Sequence, residues 1–148
     1  MTLNPECIRD LMLFFEEFTY IKAHKNGTQI TASYRVIGAD EICNFTKFSN
    51  YDPGEIFYHV IQLAESGYLA TDFTFDPAVK FLRNGIPNVY YVTPKGHEFI
   101  ASIKSKESWV KTSGILKAVK SISLSTMETV AKGVTEALIG QYMPNPQV

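Results

Sequence analysis

The sequence predicts an α+β fold, specifically a winged helix followed by a C-terminal helical extension. Three observations within residues 52–97 predict it: a capped helix that ends at a glycine, two strand-like segments separated by turn signals, and a second helix start. Asp52 offers an N-cap oxygen, Pro53 occupies the first helical position, and Gly67 is a stop signal. This helix, residues 53–66, is the candidate recognition helix.

Two strands follow the candidate recognition helix. Leu69–Phe75 and Ile86–Val92 are rich in aromatic and β-branched residues, which favour strands. Asp76-Pro77 and Asn84-Gly85 lie between them and force the chain to turn, which predicts a wing. Thr93-Pro94 repeats the cap-and-proline pattern and opens the next helix.

The N-terminal region predicts a helix and then a strand. Asn4 caps a helix that extends to about Tyr20, and extra apolar residues at Leu13 and Phe14 predict that it is covered on more than one side. Asn26-Gly27 is a hairpin turn signal, and the alternation over Thr28–Ile37 predicts a half-buried strand. The apolar stripe of this helix comprises Ile8, Leu11, Met12, Phe15 and Phe18.

Two further helical segments are predicted around the wing. Ala39–Phe45 is expected to form the short helix before the recognition helix, with Ile42 and Phe45 turned inward. Lys95–Lys106 is expected to form a helix that continues toward Trp109, which we expect to be buried and to tie the C-terminal helices to the rest.

The last helix is predicted from a capping-box pattern at Ser125–Glu128. Its apolar stripe needs a cover, which is either the protein's own core or the same helix of a second copy. We favour a homodimer, because two-fold DNA sites suit two-fold proteins. The predicted divisions are a winged-helix domain at 1–110, a helical extension at 111–142 and a flexible tail at 143–148. The stripe comprises Met127, Val130, Val134 and Leu138.

Composition indicates a soluble globular protein. The chain has 148 residues, of which 45% are hydrophobic and 20% are charged, and no apolar run is long enough to span a membrane. The N-terminus lacks the pattern of a signal peptide, so Cys7 and Cys43 are expected to be reduced thiols in a bacterial cytoplasm.

Charge is divided unevenly along the chain. Residues 1–79 contain 5 Lys/Arg and 11 Asp/Glu, a balance of −6, and residues 80–148 contain 9 and 4, a balance of +5. These sum to the net charge of −1. We therefore expect an anionic partner to meet the second half first, because local charge steers encounter whatever the net charge is.

Three motifs resemble a family of uncharacterised bacterial and prophage proteins. They are Ile8–Leu13, Glu55–Leu69 with a Tyr-His pair, and Val92–Ile100 with Gly96-His97, followed by Trp109. The sequence departs from the family pattern at residues 62–64, where the family carries two leucines, and by longer inserts at 28–50 and 76–88. The resemblance implies a fold similar to winged-helix DNA-binding modules and a phage or prophage origin, and it implies no catalytic residue.

The candidate recognition helix is a weak DNA reader by its residue types. Tyr58, His59 and Gln62 could contact bases or backbone, and Gln62 could pair with adenine, but no Lys or Arg lies on the predicted outward face. The alternative for His59 is a ring hydrogen-bonded against the first helix. Lys80 and Arg83 near the predicted wing tip, with Lys95, are suited to phosphates, unless they form only a solvated basic face.

No residue pattern indicates an enzyme. His24, His59 and His97 do not share metal-ligand spacing with either cysteine, and no phosphate-binding glycine loop occurs. We therefore expect no catalytic residue, metal or cofactor. The sequence favours a non-enzymatic regulator that binds double-stranded DNA. The alternative is a protein-interaction module that inhibits or modulates a host protein.

Overall fold

The computed structural model describes residues 1–72, 74–76, 81–83 and 86–143, and residues 74–76 and 81–83 are described by their backbone. One short 3₁₀ turn, Thr46–Phe48, lies between α2 and α3. The elements in chain order are α1 Pro5–Phe18, β1 Ile21–Asn26, β2 Gln29–Tyr34, β3 Ile37–Gly38, α2 Ala39–Ile42, α3 Pro53–Glu65, β4 Leu69–Thr71, β5 Thr74–Asp76, β6 Phe81–Arg83, β7 Asn88–Val92, α4 Pro94–Ile103, α5 Lys106–Lys117 and α6 Leu124–Tyr142.

The described strands form one three-stranded sheet and two separate hairpins. The sheet has the order β3–β7–β4, and both outer strands run antiparallel to β7. β5 pairs with β6 in a hairpin that follows β4 and precedes β7 in the chain. β1 pairs with β2 in a hairpin that follows α1 and precedes β3 in the chain. The predicted α+β class is confirmed, as is the order of helix, strands and helix over residues 52–97.

Local capping chemistry sets the predicted helix starts. The side chains of Asn4, Asp52 and Thr93 accept hydrogen bonds from backbone N–H groups in the first turns of α1, α3 and α4. Gly67 follows α3 with a φ of 85°, a left-handed conformation that glycine adopts without strain. These boundaries were predicted from the sequence because each depends on neighbouring residues alone.

Helix α1 is enclosed by the rest of the protein. It packs against α3, α4 and β7, and its residues Phe14 and Phe15 are both buried. The widened stripe at Leu13 and Phe14 therefore has the predicted covering on more than one side. Phe18 is an exception to the predicted stripe, because it is 40% exposed at the C-terminal end of the helix.

Trp109 joins α5 to α1, as predicted. Its indole is 6% exposed, and Nε1–H is shared between the two carboxylate oxygens of Glu6 at 3.2 and 3.3 Å. Arg9 lies over the ring, with its guanidinium carbon 5.4 Å from the ring centre. The same guanidinium donates to the carbonyl oxygens of Ile103 and Lys104 at 2.8 and 2.9 Å, at the C-terminal end of α4. Trp109 and Arg9 together therefore connect α1, α4 and α5.

The predicted half-buried strand is wrong in its burial. β1 and β2 form a hairpin in which every residue is exposed, because the ribbon projects from the α1–β3 connection without a layer over it. Within the predicted segment Ala39–Phe45, Ile42 is buried as expected. Phe45 is instead 43% exposed, because α2 ends at Ile42 and the chain turns before Phe45.

Two predicted helix boundaries in the C-terminal region are corrected. Ser123, not Ser125, caps α6: its hydroxyl accepts the N–H of Thr126, and the helix begins at Leu124. A break at Lys104–Ser105 separates α4 from α5, because Ser105 caps a new helix. The boundary predicted at residue 110 falls within α5, and one cluster of buried residues contains side chains from both sides of it.

The predicted dimer stripe of α6 is largely covered within its own chain. Met127 is 1% exposed and Leu138 is 8% exposed, and Val130 packs against the core. Val134 is half-buried. α4 and α5 supply the cover, because α6 packs along both. The intramolecular alternative therefore accounts for these apolar residues without a second copy.

Across the described ranges, no helix has both the length and the apolar character required to cross a bilayer.

We expect the substitution Trp109→Ala to destabilise the protein by about 3 to 5 kcal/mol, because it leaves a large cavity among α1, α4 and α5. Urea unfolding measures this loss. Native Trp109 emission should be blue-shifted, and a maximum at the solvent value would contradict burial of the indole.

Gly96 should not tolerate a side chain. A Cβ there would lie 2.2 Å from the carbonyl oxygen of Tyr68 and 2.7 Å from Val92, so α4 and its neighbours would have to separate. We expect Gly96→Ala to cost more than about 2 kcal/mol in urea unfolding. The control is Gly114→Ala in α5, where a Cβ meets nothing within 4 Å. That change should stabilise the protein by up to about 1 kcal/mol. Equal effects of the two changes would contradict close packing at Gly96.

Candidate nucleic-acid interface

His59 is a structural residue of the α1–α3 contact. Its side chain is fully buried, Nε2 accepts the backbone N–H of Asn4 at 2.9 Å, and Nδ1–H donates to the carbonyl of Glu55 at 2.7 Å. These partners assign the neutral tautomer with the proton on Nδ1. His59 therefore has no free surface for a partner, which corrects the binding role considered for it and agrees with the structural alternative.

Tyr58 and Gln62 are brought together but do not project freely. Both are half-buried, and they line a cleft of about 710 Å³ with Ser66. The N-terminal residues 1–3 and the α5–α6 loop form the rest of the cleft. Both side chains therefore expose only part of their surface, and they do so within a cleft. The sequence could not indicate this, because the covering residues come from both ends of the protein.

The acidic residues of α3 also do not favour a phosphate backbone. The Glu55 carboxylate accepts a hydrogen bond from the side-chain amide of Asn4 at 2.9 Å, and Glu65 is exposed at the C-terminal end of the helix. No Lys or Arg occurs between Pro53 and Ser66. The acidic side chains of α3 itself disfavour the approach of an anion, whereas Lys120, beyond α5, lines the cleft beside this helix.

Lys95 contacts the C-terminal end of α3. Its ammonium donates to the carbonyl of Ser66 at 3.1 Å and lies 4.8 Å from the ring centre of Tyr68. A cation at this end of a helix is stabilised by the helix dipole. Lys95 is exposed, so its predicted role toward phosphate would compete with these contacts.

Tyr68 links this region to α6 through Glu128. The phenol donates to the Glu128 carboxylate, which also accepts a hydrogen bond from Lys132 at 2.9 Å. Burial disfavours the ionised carboxyl, but the hydrogen bonds from Tyr68 and Lys132 outweigh it, so the pKa of Glu128 lies below its usual value. Burial and the hydrogen bond to Glu128 raise the pKa of Tyr68.

The predicted wing is described only in part. Lys80 lies outside the described residues, and Arg83 ends β6 opposite Thr74. Asp72, directly after β4, joins this strand to β7: its carboxylate accepts hydrogen bonds from the backbone and side-chain amides of Asn88 at 3.0 and 3.2 Å and from the Tyr90 hydroxyl at 3.0 Å. These bonds follow the irregularity in the β4–β7 register between Ala70 and Thr71.

The β1–β2 hairpin is an exposed basic surface that was not predicted as a binding site. It carries Lys22 and Lys25, with Arg35 at its base. No Asp or Glu occurs from Thr19 to Ala39. That signal was present in the sequence, but the balance of −6 over residues 1–79 concealed it. A shorter window of charge would have identified the hairpin.

An aromatic cleft lies at the base of this hairpin. Tyr34 stacks on Tyr91 of β7 with ring centres 5.5 Å apart, and both rings, with Tyr20, remain partly exposed. The cleft has a volume of about 270 Å³, and His97 of α4 lies on its wall. The stacked pair connects the hairpin to the sheet.

The described residues include no group of three or more His, Cys, Asp or Glu side chains placed to hold a metal ion. Cys7 is fully buried, and burial, with smaller effects of Glu55 and Asp10, raises the pKa of its thiol to about 12. A thiol with this pKa is a poor nucleophile at neutral pH.

Comparison with known proteins places the chain in a family. It belongs to the family described as Hypothetical protein (DUF2513), which matches residues 2–123. The match therefore ends at Ser123, the residue that caps α6. No curated protein and no solved structure matched the chain.

The Glu128 interaction predicts a pH dependence of stability. Because the folded pKa of Glu128 is lowered, its stabilisation is present above the usual pKa of about 4.5 and is lost as pH falls through the folded value. We expect Glu128→Gln to cost about 1 to 2 kcal/mol at neutral pH, and the difference from wild type to shrink in acid. Urea unfolding across acid and neutral pH measures this. The control Glu107→Gln, at an exposed position of α5, should change little. A pH-independent loss would contradict a role for the charge.

Proposed function

We propose that this protein is a non-enzymatic, phage- or prophage-encoded winged-helix regulator that binds double-stranded DNA. The observation that carries the proposal is the element order α1, β3, α2, α3, β4, β7 with the sheet order β3–β7–β4. In this arrangement α2 and α3 are the helix pair, β5–β6 is the wing, and β1–β2 is an insertion between the first helix and the first strand. Since folds of this kind serve several functions, the charges must identify the partner.

The distribution of charge supports a polyanion as the binding partner. The β1–β2 hairpin exposes Lys22 and Lys25 and carries no carboxylate, whereas some carboxylates of the first half accept hydrogen bonds within the protein. Glu6 accepts the Trp109 indole N–H, and Asp10 accepts the Tyr51 hydroxyl at 2.8 Å. The net charge of −1 averages over this local positive surface, and local charge steers the encounter with DNA.

A protein partner is the second candidate, and one observation favours it. Phe18 and Phe45 are adjacent, with ring centres 6.3 Å apart, and both are more than one-third exposed. They extend an internal aromatic cluster around Phe14 and Phe48 to the surface. Exposed aromatic residues are enriched at protein interfaces. This candidate proposes a module that modulates a host protein.

Salt-dependent binding to duplex DNA distinguishes the two candidates. Fluorescence anisotropy with a labelled duplex of mixed sequence should give an affinity whose logarithm falls linearly with the logarithm of salt concentration. A Phe18→Ser/Phe45→Ser variant should bind equally well, because neither ring carries charge. No duplex binding at low salt would overturn the DNA proposal and favour the protein partner.

The wing should contribute affinity without sequence preference. Lys80 and Arg83 lie beside the Asn84-Gly85 turn signal, and charges on a turn contact phosphates rather than base edges. We expect Lys80→Ala/Arg83→Ala to weaken binding similarly on all duplexes and to flatten the salt slope by at most about two units. Anisotropy titrations over a range of salt concentrations measure both effects. Unchanged affinity would remove the wing from the interface.

A further inference from the structure

We infer that the β1–β2 hairpin enters the major groove of duplex DNA and reads base edges there. The inference rests on the proposed function and changes its expected mode. In the usual mode α3 would occupy the groove, but its candidate readers Tyr58 and Gln62 lie in a cleft, and His59 is buried. The groove-reading element is then the exposed ribbon that precedes β3.

The hairpin is a regular two-stranded ribbon. Six residue pairs run from Ile21↔Tyr34 to Asn26↔Gln29, and all twelve residues are exposed. Gly27 closes the tip with a φ of 64°, a conformation that glycine provides in tight hairpins. At the base, the Arg35 N–H donates to the Tyr20 carbonyl at 2.7 Å. The ribbon therefore projects with a defined register.

The two faces of the ribbon differ in chemistry. Since directly opposed residues share a face, the register separates polar from apolar pairs. One face, the polar ribbon face, comprises Lys22, His24, Asn26, Gln29, Thr31 and Ser33. Every side chain of this face can donate or accept a hydrogen bond. The other face holds Ile21, Ala23, Ile30, Ala32 and Tyr34, with Lys25 its only charged member.

Charge complementarity identifies the partner as a polyanion. Lys22 and Lys25 lie on the ribbon, and Arg35 lies at its base, 3.9 Å from the Glu41 carboxylate. The nearest carboxylates before the ribbon in the chain are Glu16 and Glu17, and Lys104 binds Glu16 at 2.6 Å. The ribbon itself carries no negative side chain. The negatively charged backbone of nucleic acid therefore fits the ribbon better than it fits the acidic face of α3.

The dimensions and residue types favour the major groove. Paired strands lie about 4.8 Å apart, whereas the major groove is about 12 Å wide and admits a two-stranded ribbon. Asn26 and Gln29 are opposed at the tip and suit adenine, and Lys22 suits guanine. Stacking of Tyr34 on Tyr91 fixes the base of the ribbon against β7.

The test uses the full chain and two ribbon variants. Lys22→Ala/Lys25→Ala removes two charges, and Gln29→Ala/Thr31→Ala removes two neutral groups of the polar ribbon face. The matched control is Lys106→Ala/Lys111→Ala on exposed positions of α5. Since all six side chains are exposed, unchanged circular dichroism and melting temperature are expected. The ligands are a random duplex and the duplex enriched from a random pool by the wild-type protein.

We expect the lysine variant to bind the random duplex at least about tenfold more weakly and to lower the salt slope by about two units. The neutral variant should keep its affinity for the random duplex and lose at least about fivefold on the enriched duplex. The α5 control should change affinity by less than about threefold, since its two lysines lie outside the ribbon.

Each contrary result has a separate meaning. Absence of duplex binding by the wild-type protein overturns the proposed function itself. Binding that survives the lysine changes, or failure of the wild-type protein to enrich a sequence, overturns the ribbon inference and leaves the proposed function standing. Loss on the enriched duplex only in the lysine variant indicates phosphate contact without groove reading. Tighter binding to single strands or to duplex RNA overturns the assignment of duplex DNA.

Discussion

The burial of α1 is the constraint on which the rest of the structure depends. Its side chains from Cys7 to Phe15 supply the centre of the core, and polar contacts fix the helix at several points. Asn4 binds His59 and Glu55 of α3, Asp10 accepts the Tyr51 hydroxyl, and Arg9 binds the end of α4. Partly buried polar contacts of this kind restrict the geometry of the helix, because leaving one partner unpaired costs free energy. The positions of α3, α4 and α5 therefore follow from α1.

This constraint also decides which chemistry remains available for binding. Asn4 engages the imidazole of His59 and the carboxylate of Glu55, so two polar groups of α3 stabilise the fold. Lys95 is directed to the Ser66 carbonyl and the Tyr68 ring. A motif that combines Tyr, His, Gln and Lys resembles a binding surface in sequence, whereas in space His59 joins α1 to α3 and Lys95 joins α4 to the end of α3. The ribbon, whose twelve residues are all exposed, presents its polar groups to solvent.

The sequence predicted the features that depend on neighbouring residues. Asn4, Asp52 and Thr93 cap helices, and Gly67 ends one, because each acts on the backbone within a few positions. It failed where burial depends on distant elements. Alternation over residues 28–37 gave the correct strand faces, but whether a layer covers either face is decided elsewhere. The α6 stripe likewise did not indicate that α4 and α5 cover it.

The β1–β2 ribbon was not predicted as an interface for a related reason, which concerns the distance over which charge acts. Screening limits electrostatic attraction to about 8–10 Å in physiological salt, so a partner responds to local charge and not to half of a chain. The acidic balance of residues 1–79 arises mainly from α1, α2 and α3, whereas the ribbon lies beyond the sheet.

In the sheet, Ile37 of β3 opposes Val89 of β7, so β3 starts toward the end of β7 that carries Tyr91. The wing joins the other end of β7, at Asn88. The two hairpins therefore leave the sheet at opposite ends, and separate substitutions in each measure the contribution of each hairpin to DNA binding.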